Sequence, residues 1–432
     1  MRFWQKYGRG MLSAFLWASF IHTILTEVEY LAAVKTAPVY QLLLLGSKLQ
    51  LSEEEYAQIN GLCKKISDWD FFTKRANGTH LSPLLFNTLS DERIKNVVPK
   101  KALASLENAQ NQVLFRNIML QQVFTEFAAL LNAEKLPLIP LKGIYLSEVV
   151  YGNLRLRHLS DIDVLIKEEH LDRICSLMQQ KGWEVKHAIP YSNKEQQNLY
   201  RAHPRTLIKD EIHIELHTHL YNANEGAAIS KEEIWNYTKP ESLLDQEIMQ
   251  FTPEMQLQYL CLHLQKHLLG TEMKLLNFCD IREFLKIERH NFDWNIFKNH
   301  CKKYECSGKV SQILHLLKKY WSTDIPAGMI PDELAVKESE VRFWNFFTGK
   351  SLDSRMLVLE NTMSYRLRNI RQSGSVAKQF HFLIRFVFPS KDFMRKCYGL
   401  NNSNWVFPWY LYRPLSLTAK TIVAVFNKLV SR

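Results

Sequence analysis

The chain has 432 residues, of which 46% are hydrophobic and 12% aromatic, and 55 basic against 44 acidic side chains give a formal net charge of +11. This composition excludes a chain that is disordered throughout, and the length allows two or three domains or one domain with large extensions. The basic excess is spread along the chain. It is compatible with nucleotides, RNA or anionic lipid as partners and selects none of them.

The cysteines argue against two common structural devices. Seven cysteines are scattered along the sequence, and none forms a C-x-x-C pair. An odd, scattered set excludes a disulfide framework and a zinc ribbon and is typical of a reducing compartment. We therefore expect a cytoplasmic protein.

The N-terminal segment, residues 1–27, is of uncertain status. Its apolar stretch at 11–25 follows Lys6 and Arg9 and has roughly the length of a signal-peptide core. It is shorter than the roughly 20 residues that a spanning helix needs, and it lacks a small-x-small cleavage site. A helix packed on the domain, or an upstream start-codon artefact, is favoured over a signal peptide.

Residues 28–135 are predicted to be helical. Apolar residues at helical spacing run over 40–49 and 81–89, and Ser52 followed by three glutamates is typical of a capped helix start. A longer helix is predicted over 101–136, which no glycine or proline interrupts.

Residues 136–225 change to an alternation of strands and helices. Strands are predicted at 138–141, 161–166, 183–189, 206–208 and 212–217, and helices at 143–150 and 168–181. The last two strands are expected to form a hairpin across residues 209–211. This pattern predicts a small mixed sheet with helices on one side.

Helices are predicted again over residues 226–345, at 253–269, 275–287, from 293 onward and at 307–321. Residues 346–432 form a basic and aromatic extension, whose aromatic side chains at 405–412 favour packing over a base-stacking platform. The predicted fold class is α+β: a small mixed-sheet core flanked by helical N-terminal and C-terminal regions.

Two aspartates open the predicted strand at 161–166. Because side chains alternate along a strand, Asp161 and Asp163 should share one face while Ile162 points to the other. Adjacent carboxylates repel one another unless they share a cation, and oxygen ligands suit Mg²⁺ or Mn²⁺. Taken alone, the pair favours a solvated strand end over a metal site.

A third carboxylate is predicted to join this pair. In the strand at 212–217, Ile212, Ile214 and Leu216 should face one side. Glu215 and His217 should then face the other. If this strand lies beside the first, Glu215 reaches the same cluster, and His217 can bond a phosphate or a carboxylate or be purely structural.

Basic and glycine residues near the aspartates predict a phosphate site. Lys142 and Gly143 stand where a strand gives way to a helix, so the backbone can approach a phosphate and the lysine supplies a charge. Arg157 and Ser160 precede the first aspartate. Arg157 is placed to neutralise phosphate oxygens or to brace the acidic cluster.

These motifs resemble those of the uncharacterised bacterial nucleotidyltransferase family of the polymerase-β-like superfamily. The similarity rests on LKG, R-x-x-SDIDVLI and IELH, and on His263, His267 and Asp280 further along, and it covers most of residues 30–430. It implies a nucleotidyltransferase core in which Asp161, Asp163 and Glu215 are the catalytic metal ligands. It also implies Mg²⁺ or Mn²⁺ as cofactor and an NTP as substrate.

One departure concerns the phosphate loop. Most members of the superfamily carry Gly-Ser where this chain has Lys142-Gly143. The variant resembles abortive-infection toxin nucleotidyltransferases, which implies that the lysine replaces the missing hydroxyl contact. The expected reaction is two-metal transfer of an NMP group to a hydroxyl of an unidentified protein, RNA or small-molecule acceptor.

Two other functions stay open. One is a catalytically silent nucleotide- or RNA-binding protein with the same cleft. The other is a membrane-surface protein that uses the apolar N-terminus and the aromatic tail, which is the less favoured. His263 and His267 have a zinc-ligand spacing, but Leu264 stands where a metalloprotease needs glutamate, so a cleft-lining or structural role is favoured over zinc.

Overall fold

The computed structural model describes residues 37–187, 205–221, 227–269, 273–330 and 333–348, together with 407, 408 and 410. Residues 33–350 form one compact unit, and residues 1–32 and 351–432 are assigned to another. The apolar segment 1–27, the end of the strand predicted at 183–189 and nearly all of the extension 346–432 lie outside the described residues.

The N-terminal region is helical, as predicted. Its helices are α1 (Pro38–Leu45), α2 (Glu53–Cys63), α3 (Trp69–Gly78), α4 (Ser82–Leu89) and α5 (Lys100–Ala133), with a 3-10 turn at Lys95–Val97. Ser52 caps α2 in a capping box with Glu55: the Ser52 hydroxyl accepts from the Glu55 amide, and the Glu55 carboxylate accepts from the Ser52 amide.

A five-stranded mixed sheet forms the centre of this unit. Its strands are β1 (Leu138–Pro140), β2 (Ile162–Ile166), β3 (Glu184–His187), β4 (Arg205–Lys209) and β5 (Ile212–His217), in the spatial order β1-β2-β5-β4-β3. Strands β2 and β5 are parallel, and the other neighbours are antiparallel. The predicted β4–β5 hairpin is confirmed, with Asp210 and Glu211 at positive φ in its turn.

The two faces of the sheet have different chemistry. Ile162, Val164 and Ile166 of β2 join Ile212, Ile214 and Leu216 of β5 in one buried core. The same core contains Leu120–Leu131 side chains of α5 and side chains of α7 (Leu171–Gln180). Both helices therefore cover one face, and the period-two alternation turns Asp163 and Glu215 to the opposite face.

A second, two-stranded sheet lies within the region that was predicted to be helical. Strands β6 (Thr238–Leu243) and β7 (Gln246–Phe251) form an antiparallel hairpin. Its turn residues Leu244 and Asp245 have positive φ, at 53° and 60°. Two-residue turns of this type usually have the sequence Asn-Gly. Because Leu244-Asp245 differs from that sequence, the hairpin was not predicted. Leu243 and Ile248 pack into the main core.

The remaining helices are α6 (Lys142–Leu146), which a π-helical turn at Ser147–Tyr151 extends, α8 (Lys231–Ile234), α9 (Pro253–Leu269), α10 (Leu276–Ile287), α11 (Trp294–Lys303), α12 (Ser307–Trp321) and α13 (Glu333–Thr348). Short 3-10 turns occur at Glu168–His170, Trp235–Tyr237, Glu288–His290 and Ala327–Met329. Within the described ranges, no helix combines the length and apolar character needed to cross a membrane.

Candidate active site

The acidic cluster forms where the parallel strands β2 and β5 run side by side. Asp163 pairs in register with Glu215, and His217 follows two residues later on the same strand face. One ligand atom from each of Asp163, Glu215 and His217 lies within 4.8 Å of the others. The register of two neighbouring strands therefore brings together residues that are far apart in sequence.

Asp163 is buried and surrounded by cationic and imidazole groups. Its Oδ2 lies 3.0 Å from Lys142 Nζ, and its Oδ1 lies 2.9 Å from His217 Nε2, which is also 3.7 Å from Glu215 Oε2. Burial raises the pKa of Asp163, but Lys142 and His217 outweigh it and hold that pKa well below the ordinary value. The carboxylate is therefore charged throughout the physiological pH range.

Asp161 lies at the bend before β2 and does not belong to the 4.8 Å group. Its Oδ1 accepts a hydrogen bond of 2.8 Å from the Ser160 hydroxyl. Burial and the neighbouring Asp163 charge raise the pKa of Asp161. The surroundings of the two aspartates thus shift their pKa values in opposite directions: Asp163 is stabilised as an anion, and Asp161 is made harder to ionise.

Lys142 and Gly143 begin α6 next to β2, which carries Asp163 and is called the acidic strand below. Lys142 has a φ of 26°, a backbone region that residues with a side chain rarely adopt and that is found at functional sites. Its ammonium contacts Asp163, which it neutralises. At Gly143 an added Cβ would lie 3.4 Å from Leu159 Cδ2 and 3.7 Å from the Asp161 carbonyl oxygen, so α6 packs closely on the 157–161 loop.

Arg157 forms a buried ion pair with Asp280. Its Nε and Nη2 donate to the two carboxylate oxygens of Asp280 at 2.9 and 2.8 Å, and Tyr151 donates to Asp280 Oδ1 at 3.0 Å. Its Nη1 donates to the His158 carbonyl. Arg157 and Asp280 are both buried. Arg157 and Asp280 thus form a bidentate pair in which each satisfies the other's buried charge. The phosphate contact of Arg157 and the cleft-lining place of Asp280 stay predictions.

A buried asparagine of α5 fixes the loop that leads to Asp161. Asn117 Nδ2 donates to the carbonyl oxygens of Leu154 and Arg157, both at 2.7 Å, and its Oδ1 accepts from the Leu159 amide at 3.2 Å. No pattern in the sequence pointed to Asn117, since a single asparagine in a long helix is usually a surface residue. It holds the approach to the acidic strand in place.

Helix α9 places aromatic and imidazole groups near the cluster. His263 and His267 lie one turn apart with their Nε2 atoms 3.1 Å from each other, and Tyr259 stands one turn earlier. Burial, followed by the Lys142 charge, lowers the pKa of His267 to about 4 and shifts that of His263 in the same direction. Burial and the charge of Asp163 raise the pKa of Tyr259. These groups are therefore neutral near pH 7.

A protein family described as uncharacterised nucleotidyltransferase matches residues 66–322, which is more than half of the chain and contains every residue of the cluster. The chain belongs to this nucleotidyltransferase family. No curated protein matches the chain. No solved structure matches it either.

The donor set of this nucleotidyltransferase fits a divalent cation. Asp163, Glu215 and His217 each offer one ligand atom, and these atoms lie within 4.8 Å of one another. Carboxylate oxygens are the ligands that Mg²⁺ and Mn²⁺ prefer, and imidazole also suits Mn²⁺. Asp163 and Glu215 are therefore the residues that could hold such a cation, and His217 could join them or orient Asp163 as it does now.

The predicted site residues thus separate into four groups. One group contains the side chains that meet at one point: Asp163, Glu215, His217 and Lys142. Asp161, Ser160 and Gly143 lie beside them. Arg157 and Asp280 form an ion pair that holds the loop before β2, and His263 and His267 lie on a separate helix near Lys142. Sequence reasoning missed Tyr259, although its four-residue spacing from His263 placed it on the same helix face.

Proposed function

We propose that this protein is a metal-dependent nucleotidyltransferase of the polymerase-β-like type, which moves an NMP group from an NTP to a hydroxyl-bearing acceptor. The observation that carries the proposal is the pairing of Asp163 with Glu215 on adjacent parallel strands, with Lys142 and His217 at the same point. Membership in the nucleotidyltransferase family supports the same reaction class.

The residues take distinct parts in the reaction. Asp163 and Glu215, with Asp161 at the edge, would hold Mg²⁺ or Mn²⁺, and a pair of such ions would activate the acceptor and neutralise the phosphates. Lys142 turns from Asp163 to a phosphate oxygen when the NTP binds. The backbone of Gly143 and the hydroxyl of Ser160 lie at the same edge of the site and contact the phosphates.

Atoms and charge balance in the proposed transfer. The acceptor oxygen forms a bond to the α-phosphorus, and the bond from that phosphorus to the α–β bridging oxygen breaks. The electron pair leaves with pyrophosphate. Glu215 removes the acceptor proton, because a general base has to lie within hydrogen-bond reach of that proton and Glu215 lies at the cluster's partly exposed edge.

The test measures transfer of label from α-³²P NTPs in Mg²⁺ to the protein, RNA and small-molecule fractions of a cell extract, and to the protein itself. Wild type and the exposed-turn control Asp210→Asn should label one fraction, and Asp163→Asn should reduce labelling by at least a hundredfold while its circular dichroism spectrum is unchanged. Undiminished labelling by Asp163→Asn would sink the assignment.

The second candidate function is a catalytically silent nucleotide-binding protein in the cytoplasm. The ion pair between Lys142 and Asp163 is the observation that favours this silent protein, because the lysine neutralises the carboxylate without a metal. It predicts that Mg²⁺-NTP binds in a calorimeter while no fraction is labelled. Label in any fraction removes this alternative.

A further inference from the structure

A cavity of about 510 Å³ opens beside the acidic strand, between α3, α5 and the loop before β2. Its polar lining comes from Asn77 of α3, His80 just after that helix, Ser82 of α4, Gln112 and Arg116 of α5, and His158 and Ser160 of the loop. This volume lies in the range of small-molecule sites. None of the residues that line it carries a carboxylate side chain.

The cavity borders the proposed active site through one residue. Ser160 lines the cavity and donates its hydroxyl to Asp161. Arg116 closes the same wall, since its Nη2 donates to the carbonyl oxygens of Ser160 and Glu211, which precede β2 and β5. A molecule held here lies next to the beginning of both carboxylate-bearing strands.

The electrostatic environment of the cavity is positive. The His80 and His158 rings face each other with their Nδ1 atoms 3.1 Å apart. Burial is the main cause that lowers the pKa of His80 to about 3 and that of His158 to about 4, and nearby Lys274 and Arg157 charges lower both further. Both rings are therefore neutral at pH 7, and the charge in the wall is that of Arg116.

The neutral imidazole pair offers hydrogen-bonding groups of the kind that suit hydroxyls. One Nδ1 has to donate to the other, so one ring presents an accepting Nε2 and the other a donating Nε2. Asn77, Gln112 and Ser160 add amide and hydroxyl groups to the same wall. Such a lining matches a ligand with several hydroxyls and one anionic group, and it repels a cationic aminosugar.

We propose that this cavity binds the acceptor of the transfer reaction, and that the acceptor is a small phosphorylated sugar or related anionic polyol. The inference rests on the proposed function, because it places the acceptor hydroxyl beside Asp161 for attack on the α-phosphorus. It narrows the acceptor to a small molecule and leaves protein and RNA acceptors as the outcomes that contradict it.

The first test fills the cavity without touching the acidic cluster. Ala109 lines the cavity and Ala104 is exposed on the same helix, so Ala109→Trp and Ala104→Trp form a matched pair. Isothermal titration of the full chain uses glucose 6-phosphate as the probe, with glucose as its uncharged counterpart. Wild type and Ala104→Trp should bind glucose 6-phosphate, and Ala109→Trp should lose at least tenfold in affinity.

A second variant keeps the volume and changes only the charge. Gln112→Glu places a carboxylate in the lining and should weaken glucose 6-phosphate binding roughly tenfold, because like charges repel strongly in a partly enclosed site. Gln122→Glu, exposed on the same helix, serves as its control. Retention of glucose 6-phosphate affinity in both Ala109→Trp and Gln112→Glu would overturn the proposal.

Titration of the same variants with Mg²⁺ and each of the four NTPs separates this inference from the proposed function. NTP affinity should stay within about twofold of wild type in all four variants. A parallel loss of NTP and glucose 6-phosphate affinity in Ala109→Trp would mean that the cavity belongs to the nucleotide subsite. Glucose binding as tight as that of its phosphate, or no binding of the phosphate by wild type, also contradicts the proposal. Absence of NTP binding by wild type would instead contradict the proposed function.

Discussion

At the level of single residues, the site is organised around the charge of Asp163. A carboxylate that is almost completely buried is costly unless its charge is balanced, and here one oxygen faces Lys142 and the other His217. Lys142 and the proposed divalent cation would therefore compete for the Asp163 carboxylate. The same lysine is the residue expected to reach a phosphate, so the two partners of Lys142 compete.

This competition predicts opposite effects of Lys142→Met on two ligands. Affinity for Mg²⁺-NTP should fall roughly 10- to 100-fold, because a charge-assisted phosphate contact of about 1.5–3 kcal/mol is lost. Affinity for Mn²⁺ alone should rise, because no ammonium competes for Asp163. Both are measured by titration calorimetry, with Lys181→Met at an exposed position as the control.

Equal affinities in wild type and Lys142→Met for both ligands would show that Lys142 is only a structural partner of Asp163. A fall in both affinities would show that the lysine holds the acidic strand in its binding geometry instead of competing with the metal.

Some of these residues were predictable and others were not, for a physical reason. The period-two pattern of β2 and β5 gave the faces of Asp163 and Glu215 correctly, because burial of one strand face leaves a strong alternation. Their direct pairing depends on strand register, which the pattern alone does not supply. His80 and His158 carried no motif, since only tertiary packing brings them near the site, whereas Tyr259 was missed although its spacing from His263 places it on the same helix face.

At the level of secondary-structure elements, a buried ion pair joins the sheet region to the C-terminal helices. Arg157, in the loop before β2, binds Asp280 of α10 through two hydrogen bonds, and Tyr151 from the π-helical turn adds a third. Asn117 of α5 anchors the same loop from the other side. The loop that ends at Asp161 is therefore held from two elements at once.

Removal of one member of this pair should be costly. Asp280→Ala leaves the Arg157 guanidinium buried without its partner and should lower the free energy of unfolding by about 3–5 kcal/mol. The double variant Arg157→Met/Asp280→Leu removes both charges and should recover part of that loss. Urea unfolding followed by circular dichroism measures both variants, with the exposed Asp324→Ala as the control.

An Asp280→Ala variant as stable as the Asp324→Ala control would contradict the structural role assigned to the pair. A double variant less stable than Asp280→Ala would show that the aliphatic replacements do not fit the space between α10 and the loop.

Some secondary-structure elements were predictable from sequence patterns, and one hairpin was not. The long helix α5 and the strands around the aspartates follow clear periodicity and lie within a few residues of their predicted bounds. The β6–β7 hairpin was not predicted, because Leu244-Asp245 adopts a turn with positive φ without glycine or asparagine. The packing of this hairpin into the main core stabilises the turn, which its own sequence does not favour.

At the level of the whole molecule, one face of the sheet forms the hydrophobic core and the other carries the candidate active site. One face is buried under α5 and α7, and the other bears Asp163, Glu215 and His217. The predicted α+β class is confirmed, since helices flank a small mixed sheet on both sides in sequence. A net charge of +11 favours the approach of an NTP or a phosphorylated acceptor without choosing between them.

The proposed reaction depends on a metal-nucleotide site formed by Asp163 and Glu215. Electron paramagnetic resonance of free Mn²⁺, titrated with the full chain and each NTP, measures it most directly. Wild type and the control Asp210→Asn should lower free Mn²⁺ further than the same NTP does without protein, and Asp163→Asn and Glu215→Gln should lower it no further than the NTP alone. Equal Mn²⁺ binding by all four proteins would contradict the account.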